Sequence, residues 1–327
     1  MPRTCYDTYV LNMTTKILCC DWGNTNFRLY LADRTDQAIL ATYTSNTGIR
    51  LIHQPSPVNS APYGLMPEVY RNHLLHAIKS LETEVGFSLT GLPLVVSGMA
   101  SSPIGIQELA YTALPFSLEH PHLVTLRYPE SDAFRHTVLL VSGLTTGSDI
   151  MRGEETKIIG AATLSAGREL FILPGTHSKH AVAEGSVLTG FQTFLTGEFF
   201  SLLQSHGILA ASIDADTDLL DHLDSFKEAV LRVQEYSLLS LAFEIRANDV
   251  LKRKNKKDNY WWLSGLLIGE ELKAIRNDQF DRITLVGGSI MEPLYRAAME
   301  FIGMAAPDPV SAEYALIRGQ IRIFNGT

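Results

Sequence analysis

Hydrophobic residues along this chain occur either in short runs or at helical spacing. An apolar run beginning at Lys16 turns over a polar cluster into a second run that ends at Leu31, and a return strand is predicted at 39–44. Apolar residues recur at helical spacing over 67–85, which predicts a helix, and a strand follows at 92–96. The pattern is typical of an α/β fold built from a hairpin, a helix and further strands.

The middle of the chain carries one more strand and a polar turn. The strand is predicted at 138–142, and the turn that follows contains Gly143 and several hydroxyl residues. Residues 149–164 are then predicted to form a helix, with Ser148 or Asp149 as its N-cap.

A similar order of elements returns in the second half of the chain. Helical segments fill most of 197–273, and a final helix at 311–321 is predicted to close this half. A strand at 283–286 runs into a helical pattern at 291–299. The remaining strands of this half are predicted at 170–173, 181–183 and 186–190.

The length of the chain indicates two domains. At 327 residues it exceeds what a single core usually fills. We expect a first domain at 15–167 and a second at 168–327, with 1–14 as an N-terminal tail. The tail shows no periodicity, and Met13 stands just before the first strand, so both Met1 and Met13 stay open as the start.

Charge and composition exclude several classes of protein. The formal net charge of -8 disfavours a nucleic-acid partner, because phosphate backbones are bound by clustered Lys and Arg. No apolar run approaches the roughly 20 residues that span a bilayer, and no signal-peptide pattern occurs, so we expect a cytoplasmic protein without a membrane partner. Cys5, Cys19 and Cys20 cannot form a disulfide framework, and the adjacent pair is predicted to be buried.

The turn after the first strand is the clearest candidate for chemistry. Asp21 ends the strand, where a carboxylate can hold a metal-bound water, and Gly23 lets backbone amides approach an anion. Thr25, Asn26 and Arg28 add hydrogen-bond donors. Taken alone, the turn is equally typical of an ordinary β-hairpin.

Two further glycine turns follow the same logic. At 174–179 an apolar run ends in Pro-Gly and continues into hydroxyl residues and a lysine. At 286–289 a short apolar strand runs through two glycines into a helix. One such turn in each half, plus the later strand-glycine-helix element, resembles the layout of the sugar kinase, actin and Hsp70 superfamily, and this resemblance implies nucleotide binding.

The order of these motifs resembles the 2-dehydro-3-deoxygalactonokinase family of the sugar kinase, actin and Hsp70 superfamily. The resemblance runs from about Lys16 to about Ala315. It also includes Ser-Gly-Met-Ala at 97–100 and Met-Arg-Gly-Glu-Glu at 151–155. It implies two RNase H-like (actin-like ATPase) domains with an interdomain nucleotide cleft. The implied reaction is ATP-dependent phosphorylation of 2-dehydro-3-deoxy-D-galactonate at its terminal hydroxyl, in galactonate catabolism.

The resemblance assigns roles to the three glycine turns. Phosphoryl transfer needs charge neutralisation, in-line positioning and usually a carboxylate near the attacking hydroxyl. Asp21 would hold Mg²⁺ through water. Gly287, Gly288 and Ser289 would contact adenosine. The residues that would face the phosphates of ATP are Gly23, Asn24, Thr25, Arg28, Gly175, Thr176, Ser178 and Lys179.

Asp149 is the expected catalytic base. It occupies a slot that resembles the position of the catalytic aspartate in carbohydrate kinases of the glycerol kinase type, and a helix N-terminus would favour its ionised form. Its alternative is a plain helix N-cap. Either Glu154 or Glu155 could also face the metal or the sugar, and the sequence does not indicate which.

The acceptor is expected to bind through a loop and an arginine. An acid substrate calls for a carboxylate partner, and a bidentate arginine is the preferred form. Arg152 is the best-placed candidate, and Arg50 is a second. The loop formed by Ser97, Gly98, Met99 and Ala100 would add backbone amides.

Two positions depart from the family pattern, and two other functions stay open. Asn24 stands where a small hydroxyl residue is common, and His180 where tryptophan is usual. The protein could instead be a kinase for another small sugar or sugar acid, or a nucleotide-binding module without transfer activity. The phosphate loops together with Asp149 argue against the binding module. The sequence does not indicate the oligomeric state.

Overall fold

The computed structural model describes residues 13–53, 64–288 and 290–327. Its strands are β1 Lys16–Trp22, β2 Phe27–Asp33, β3 Ile39–Ser45, β4 Leu94–Gly98, β5 Thr112–Ala113, β6 Phe116–Ser117, β7 Thr125–Tyr128, β8 Val138–Val141, β9 Leu144–Thr145, β10 Ile150–Met151, β11 Arg168–Leu173, β12 Ser178–Glu184, β13 Val187–Phe194, β14 Arg282–Gly287 and β15 Asp308–Ser311. Its helices are α1 Ile49–Ile52, α2 Glu68–Val85, α3 Glu154–Ala161, α4 Thr196–Ser205, α5 Leu223–Arg232, α6 Leu238–Val250, α7 Lys256–Lys273, α8 Met291–Phe301 and α9 Ala312–Gly326.

The first compact unit contains the described residues up to Ser165, with Ser186–Gly190 and Ala312–Thr327. Its main sheet has the strand order β3-β2-β1-β4-β8-β7. Strand β1 is antiparallel to β2 and parallel to β4, and β4 is parallel to β8. Every residue of β1 is buried, as expected for a strand covered on both faces. Alternate β1 residues, beginning with Leu18, pack with Leu74 and Leu81 of α2.

The second compact unit contains Ala166–Gly185 and Phe191–Ser311. Its sheet has the order β15-β14-β11-β12-β13. Strand β11 is antiparallel to β12 and parallel to β14, which is parallel to β15. Leu170 and Leu285 of this sheet pack against Phe226 of α5 and Tyr295 of α8.

The two sheets share one plan, in which the first strand of each is antiparallel to the second and parallel to the fourth. Hairpin β1–β2 therefore corresponds to hairpin β11–β12. The predicted α/β fold with two RNase H-like domains is confirmed. The plan explains why two loops of similar composition follow β1 and β11.

The C-terminal helix differs from its prediction, because α9 belongs to the first unit and not the second. Its Gly319 and the facing Gly160 of α3 let the two backbones approach closely. An added Cβ would lie 1.8 Å from the Thr156 carbonyl oxygen at Gly319 and 1.8 Å from that of Ala315 at Gly160. The predicted helix is present, but the sequence does not show to which unit it belongs.

The predicted helix at 149–164 is also corrected, because it starts only at Glu154. Residues 144–151 instead form a small hairpin of β9 and β10, in which Ile150 pairs with Thr145. Gly147 sits at the tip with a φ of 93°, a conformation that favours glycine. Hydroxyl and acidic residues stabilise turns as readily as they cap helices, so their presence at 145–149 does not distinguish a hairpin turn from a helix N-terminus.

Several sequence expectations concern burial or fall outside the description. Cys19 and Cys20 are both buried, as predicted, and burial raises the pKa of the Cys20 thiol well above its ordinary value. Cys5 and Ser289 lie outside the described residues, as does most of the predicted tail. Within the described ranges, no helix is both long and apolar enough to cross a membrane.

Candidate active site

The carboxyl ends of β1 and β4 bring the first group of predicted residues together. In the parallel register Asp21 lies beside Ser97 and Trp22 beside Gly98. Gly98 has a φ of 89°, and a Cβ there would lie 2.8 Å from the Trp22 carbonyl oxygen and 3.4 Å from Asp21 Oδ1. Ligands of α/β proteins bind outside this edge of the sheet. The predicted metal and acceptor residues therefore share one edge of the first sheet.

Loop 1, the turn at 23–26 between β1 and β2, is held by backbone hydrogen bonds. The Gly23 N–H donates to the Asn26 carbonyl at 2.9 Å, and the Ile49 N–H donates to the Gly23 carbonyl at 3.0 Å. Gly48 packs directly on the loop, since a Cβ there would lie 2.2 Å from the Asn24 carbonyl oxygen. Asn24, Thr25 and Asn26 are exposed. Loop 1 is thus a fixed backbone with polar groups facing outward.

Asp21 carries the main charge interactions of this edge. Its Oδ2 lies 3.4 Å from Arg28 Nη1 and 3.3 Å from Lys157 Nζ. The Asp21 side chain is only 11% exposed, so these two cations compensate a largely desolvated carboxylate. Attraction to Asp21 is the main cause that raises the pKa of Lys157. The pair Asp21–Arg28 joins two predicted residues.

Lys157 is a residue that the sequence reasoning missed. It lies on α3, two residues after the Met-Arg-Gly-Glu-Glu motif. Its spacing from the other motifs does not indicate a role in the site, because its contact with Asp21 depends on how α3 packs at the end of β1. Gly153 permits this packing. It has a φ of 108°, and a Cβ there would lie 3.1 Å from the Gly98 Cα.

The donor set at Asp21 fits a magnesium ion held through water. No group of three or more His, Cys, Asp or Glu able to hold a metal occurs among the described residues. Mg²⁺ usually keeps several waters and binds through one or two carboxylates together with substrate phosphates. A single carboxylate beside a predicted phosphate-binding loop matches that mode, whereas the described residues offer no metal centre made only of protein ligands.

Of the two glutamates left open, Glu155 is the buried one. Its carboxylate accepts the Gly153 N–H at 2.7 Å and the Thr156 hydroxyl at 3.0 Å. Burial is the main cause that raises its pKa to about 7. Glu154 is only partly buried and accepts the Arg152 N–H at 3.1 Å. Glu155 therefore caps the start of α3 from the interior.

The guanidinium of Arg152 is largely engaged within the protein. Nη1 donates to the carbonyl and hydroxyl oxygens of Ser101, Nη2 to the Leu109 carbonyl at 3.3 Å, and Nε to the Tyr111 hydroxyl at 3.3 Å. The guanidinium also stacks on the Tyr111 ring, 4.1 Å from its centroid. These contacts fix the loop after β4, and they leave few N–H groups for a substrate carboxylate.

The predicted acceptor loop at 97–100 is mixed in its exposure. Ser97 is fully buried, and its hydroxyl accepts from Gln320 Nε2 of α9 at 2.9 Å. Ala100 is also fully buried, and its carbonyl accepts the Ile106 N–H at 2.7 Å. Met99 is partly exposed. The Ser97 hydroxyl oxygen is therefore bonded to α9, and Met99 is the one residue of these four that is not buried.

Asp149 lies in the hairpin turn between β9 and β10, partly exposed. Its Oδ1 accepts the Ile150 N–H at 2.7 Å, and its own N–H donates to the Thr146 hydroxyl at 2.9 Å. The argument for Asp149 that rested on a helix N-terminus is wrong. The hairpin nonetheless follows β8, whose carboxyl end lies at the same sheet edge as those of β1 and β4.

Loop 2, residues 174–177 between β11 and β12, belongs to the second unit. Gly175, Thr176 and His177 are exposed. Helix α4 supports the loop, because the Glu198 N–H donates to the Thr176 carbonyl at 3.0 Å and Glu198 Oε2 lies 2.6 Å from His177 Nε2. His177 is thus tied to α4 through Glu198.

Ser178 and Lys179 differ from the other predicted phosphate residues because both are buried. Ser178 lies 3.0 Å from the Tyr295 hydroxyl and accepts the Gly175 N–H at 3.3 Å. Lys179 Nζ donates to the His177 carbonyl at 3.0 Å. Their side chains support loop 2 from within the protein and do not lie on its exposed surface.

Gly287 and Gly288 end β14, at the same edge of the second sheet as loop 2. A Cβ at Gly287 would meet only Pro174 Cδ, at 4.0 Å, and a Cβ at Gly288 would have no neighbour within 4 Å among the described residues. The fold therefore does not require glycine at either position. The open space there suits a planar ring approaching the backbone.

Comparison with known proteins relates the whole chain to one family. A family model described as 2-keto-3-deoxy-galactonokinase matches residues 21–323. The chain is 32% identical over 294 residues to a candidate 2-dehydro-3-deoxygalactonokinase of Rhizobium meliloti (strain 1021), covering 87% of this chain and 89% of that protein. It is 29% identical over 301 residues to the 2-dehydro-3-deoxygalactonokinase of Escherichia coli (strain K12), covering 89% and 91%.

A solved structure gives the same relationship. The crystal structure of a candidate 2-dehydro-3-deoxygalactonokinase from Sinorhizobium meliloti matches with a TM-score of 0.77 at 29% identity. The match covers 93% of this chain and 94% of that one. The similarity therefore extends over both compact units and not over one motif.

Proposed function

Because the chain belongs to the 2-keto-3-deoxy-galactonokinase family, we propose that it phosphorylates 2-dehydro-3-deoxy-D-galactonate with ATP. The phosphoryl group goes to the terminal hydroxyl and gives 2-dehydro-3-deoxy-6-phosphogalactonate. The observation that carries the proposal is the pair of corresponding hairpins, each with an exposed glycine-containing loop after the first strand of its sheet. Backbone N–H groups of such loops can hold the phosphates of a nucleotide.

The loops bind phosphate mainly through their backbones. In loop 1, Gly23, Asn24 and Thr25 form the cradle, and a Cβ at Gly23 would meet, among the described residues, only the Asn26 carbonyl oxygen at 3.4 Å. Arg28 and Lys157 neutralise phosphate charge beside Asp21. In the second unit Gly175 and Thr176 form the corresponding cradle, Gly287 and Gly288 approach adenosine, and Ser178 and Lys179 support the loop.

Magnesium bound through water at Asp21 would neutralise charge on the transferred phosphoryl group. Asp21 itself serves to orient that water. Asp149 is the proposed base that accepts the proton of the acceptor hydroxyl, and its bond from the Ile150 N–H fixes the direction of the carboxylate. Its partial exposure at the carboxyl edge of the first sheet supports this role.

The acceptor is proposed to bind at the 97–100 loop, where Met99 is partly exposed, with an arginine on its carboxylate. Arg152 can contribute only N–H groups that are not already bonded to Ser101, Leu109 or Tyr111. Arg50 is exposed and lines a surface depression of about 370 Å³ next to loop 1, which makes it the second candidate. Kinetics of single variants separate the two.

The test is acceptor-dependent ADP release with ATP and Mg²⁺. 2-Dehydro-3-deoxy-D-galactonate is compared with its gluco epimer, with glycerol and with no acceptor. Preferential turnover of the galacto acid is expected. Release only with a different acceptor would replace the substrate and keep the kinase, and a rate that no acceptor raises would contradict the proposed activity.

A further inference from the structure

A set of buried polar side chains lies beneath loop 2 and is left unexplained by phosphate binding. Five residues from three helices and one strand meet there: Ser178 and His180 of β12, Thr196 of α4, Glu271 of α7 and Tyr295 of α8. Each is at most 8% exposed, and Glu271 is only 2% exposed. A carboxylate this deeply buried is costly unless several donors surround it.

Glu271 has three donors. Its Oε2 accepts the Tyr295 hydroxyl at 2.7 Å and also the Thr196 hydroxyl, and its Oε1 lies 2.9 Å from His180 Nε2. A carboxylate that is ionised only accepts hydrogen bonds, so it sets the direction of every bond made to it. Burial, together with the negative charge of Glu271, raises the pKa of Tyr295 well above its ordinary value, so Tyr295 keeps its proton and donates it.

The direction of the hydrogen bond from Tyr295 to Glu271 also sets the direction of the bonds that lead to loop 2. Since the Tyr295 hydrogen points to Glu271, the contact of 3.0 Å between Tyr295 and Ser178 is made by the Ser178 hydroxyl donating to the Tyr295 oxygen. The Ser178 oxygen then accepts the Gly175 N–H at 3.3 Å. The chain of donors therefore runs from Gly175 through Ser178 and Tyr295 to Glu271.

The opposite side of loop 2 is fixed as well. Gly197, at the start of α4, lies so close that a Cβ there would be 2.6 Å from the Gly175 carbonyl oxygen and 2.8 Å from the Thr176 Cα. The Glu198 N–H donates to the Thr176 carbonyl at 3.0 Å. The loop backbone is thus held between α4 and the buried donor chain, a preorganised arrangement that costs little to adopt when an anion binds.

We infer that Glu271, Tyr295 and Ser178 are positioning residues that fix the backbone of loop 2 for the phosphates of ATP. Ser178 acts through Gly175 and does not donate to phosphate itself, because its hydrogen is used by Tyr295. The inference rests on the proposed role of loop 2 in phosphate binding. It predicts that disturbing the donor chain affects ATP and leaves the sugar acid unaffected.

The first test is Tyr295→Phe, which removes one hydroxyl and keeps the ring in the core. The KM and Kd for ATP should rise roughly five- to tenfold, the size expected for one hydrogen bond that holds a loop, and the KM of the acceptor should not change. Tyr260→Phe is the matched control, since Tyr260 lies in the same unit and its ring packs on Phe200 and Trp261, outside the donor chain. It should bind ATP as the wild type does.

The second test is a double-mutant cycle with Ser178→Ala. If both residues act through one chain, the ATP Kd of Ser178→Ala combined with Tyr295→Phe should equal that of the worse single variant within about twofold. Multiplying effects would refute a single chain. Equal rises in both KM values, or a loss of thermal stability with an unchanged ATP Kd, would show an ordinary core role and overturn the inference.

The affinity for ATP can be measured separately from the phosphorylation of the sugar acid. Binding is measured on the full chain by calorimetry without acceptor. A wild type that phosphorylates the galacto acid, with a Tyr295→Phe variant that binds ATP normally, would remove the inference and keep the function. A raised ATP Kd in Tyr295→Phe, together with a wild type that turns over no sugar acid, would keep the inference and remove the proposed reaction.

Discussion

Glu155→Gln tests the buried carboxyl that caps α3. Glutamine keeps the shape of the side chain and an oxygen that accepts the Gly153 N–H, which Glu155 accepts at 2.7 Å. It removes only the ability to ionise. Because Glu155 is 1% exposed, its charged form is desolvated, and this burial raises its pKa from 4.5 to about 7.

The sign of the effect follows from that raised pKa. Between pH 4.5 and about 7 the folded protein keeps a proton on Glu155 that the unfolded chain has released, so the stability of the wild type falls as pH rises. Below pH 4.5 both states are protonated, and there is no penalty. With one pKa unit worth about 1.4 kcal/mol, the penalty reaches about 3 kcal/mol above pH 7, and about 2.5 kcal/mol of it appears between pH 5 and pH 8.

Urea unfolding at pH 5 and pH 8, followed by far-UV circular dichroism, measures the difference. Glu155→Gln should be close to the wild type at pH 5 and more stable by about 2 to 3 kcal/mol at pH 8. Glu154→Gln is the matched control, since it makes the same chemical change one residue earlier at a partly buried position. It should show no comparable dependence on pH.

Two results would refute the reasoning about Glu155. One is a Glu155→Gln variant that is destabilised equally at both pH values, which would mean that the carboxylate is ionised and well compensated in the folded protein. The other is the same pH-dependent gain in Glu154→Gln, which would mean that general repulsion between the two glutamates, and not burial, causes the effect.

Four further outcomes are expected. Asp149→Asn should lower kcat by roughly 10²- to 10⁴-fold with an unchanged ATP Kd, and normal turnover at saturation would remove it as the base. Arg152→Ala should raise the KM of the acceptor more than that of ATP, and equal rises would exclude a carboxylate contact. Lys157→Met should raise the KM for ATP, and an unchanged value would assign Lys157 only to pairing with Asp21. Gly23→Ala should weaken ATP binding with little change in thermal stability, whereas Gly48→Ala should lower stability because its Cβ would lie 2.2 Å from the Asn24 carbonyl oxygen; equal stability of both would contradict this.

Local pattern was enough to predict the hairpins and their loops. The strand that ends at Asp21 and the next strand, which carries Arg28, are neighbours in sequence, and the antiparallel register puts Asp21 opposite Arg28. The contact between their side chains follows from that pairing. The glycine turn after β11 is predicted from local pattern in the same way. It corresponds to the turn after β1 because the second sheet repeats the plan of the first.

Contacts set by helix packing were not predictable from one sequence. Lys157 reaches Asp21 only because Gly153 and Gly98 allow α3 to approach the end of β4. The partners of Arg152 lie more than 40 positions away along the chain. A residue type that suits a ligand equally suits such internal partners, so the sequence could not separate a binding arginine from a structural one.

Loop 1 and loop 2 are held in place by different kinds of contact, so they are expected to tolerate different substitutions. Loop 1 is held by backbone bonds from Gly48 and Ile49, so its exposed side chains carry little of its shape. Loop 2 is held from within by the hydroxyls of Ser178 and Tyr295, so its shape depends on side chains that are buried. Changes such as Asn24 for a hydroxyl residue can therefore accumulate on loop 1 without moving its backbone. If loop 2 binds phosphate as proposed, residues beneath the loop as well as on it are expected to set the phosphate affinity of the second unit.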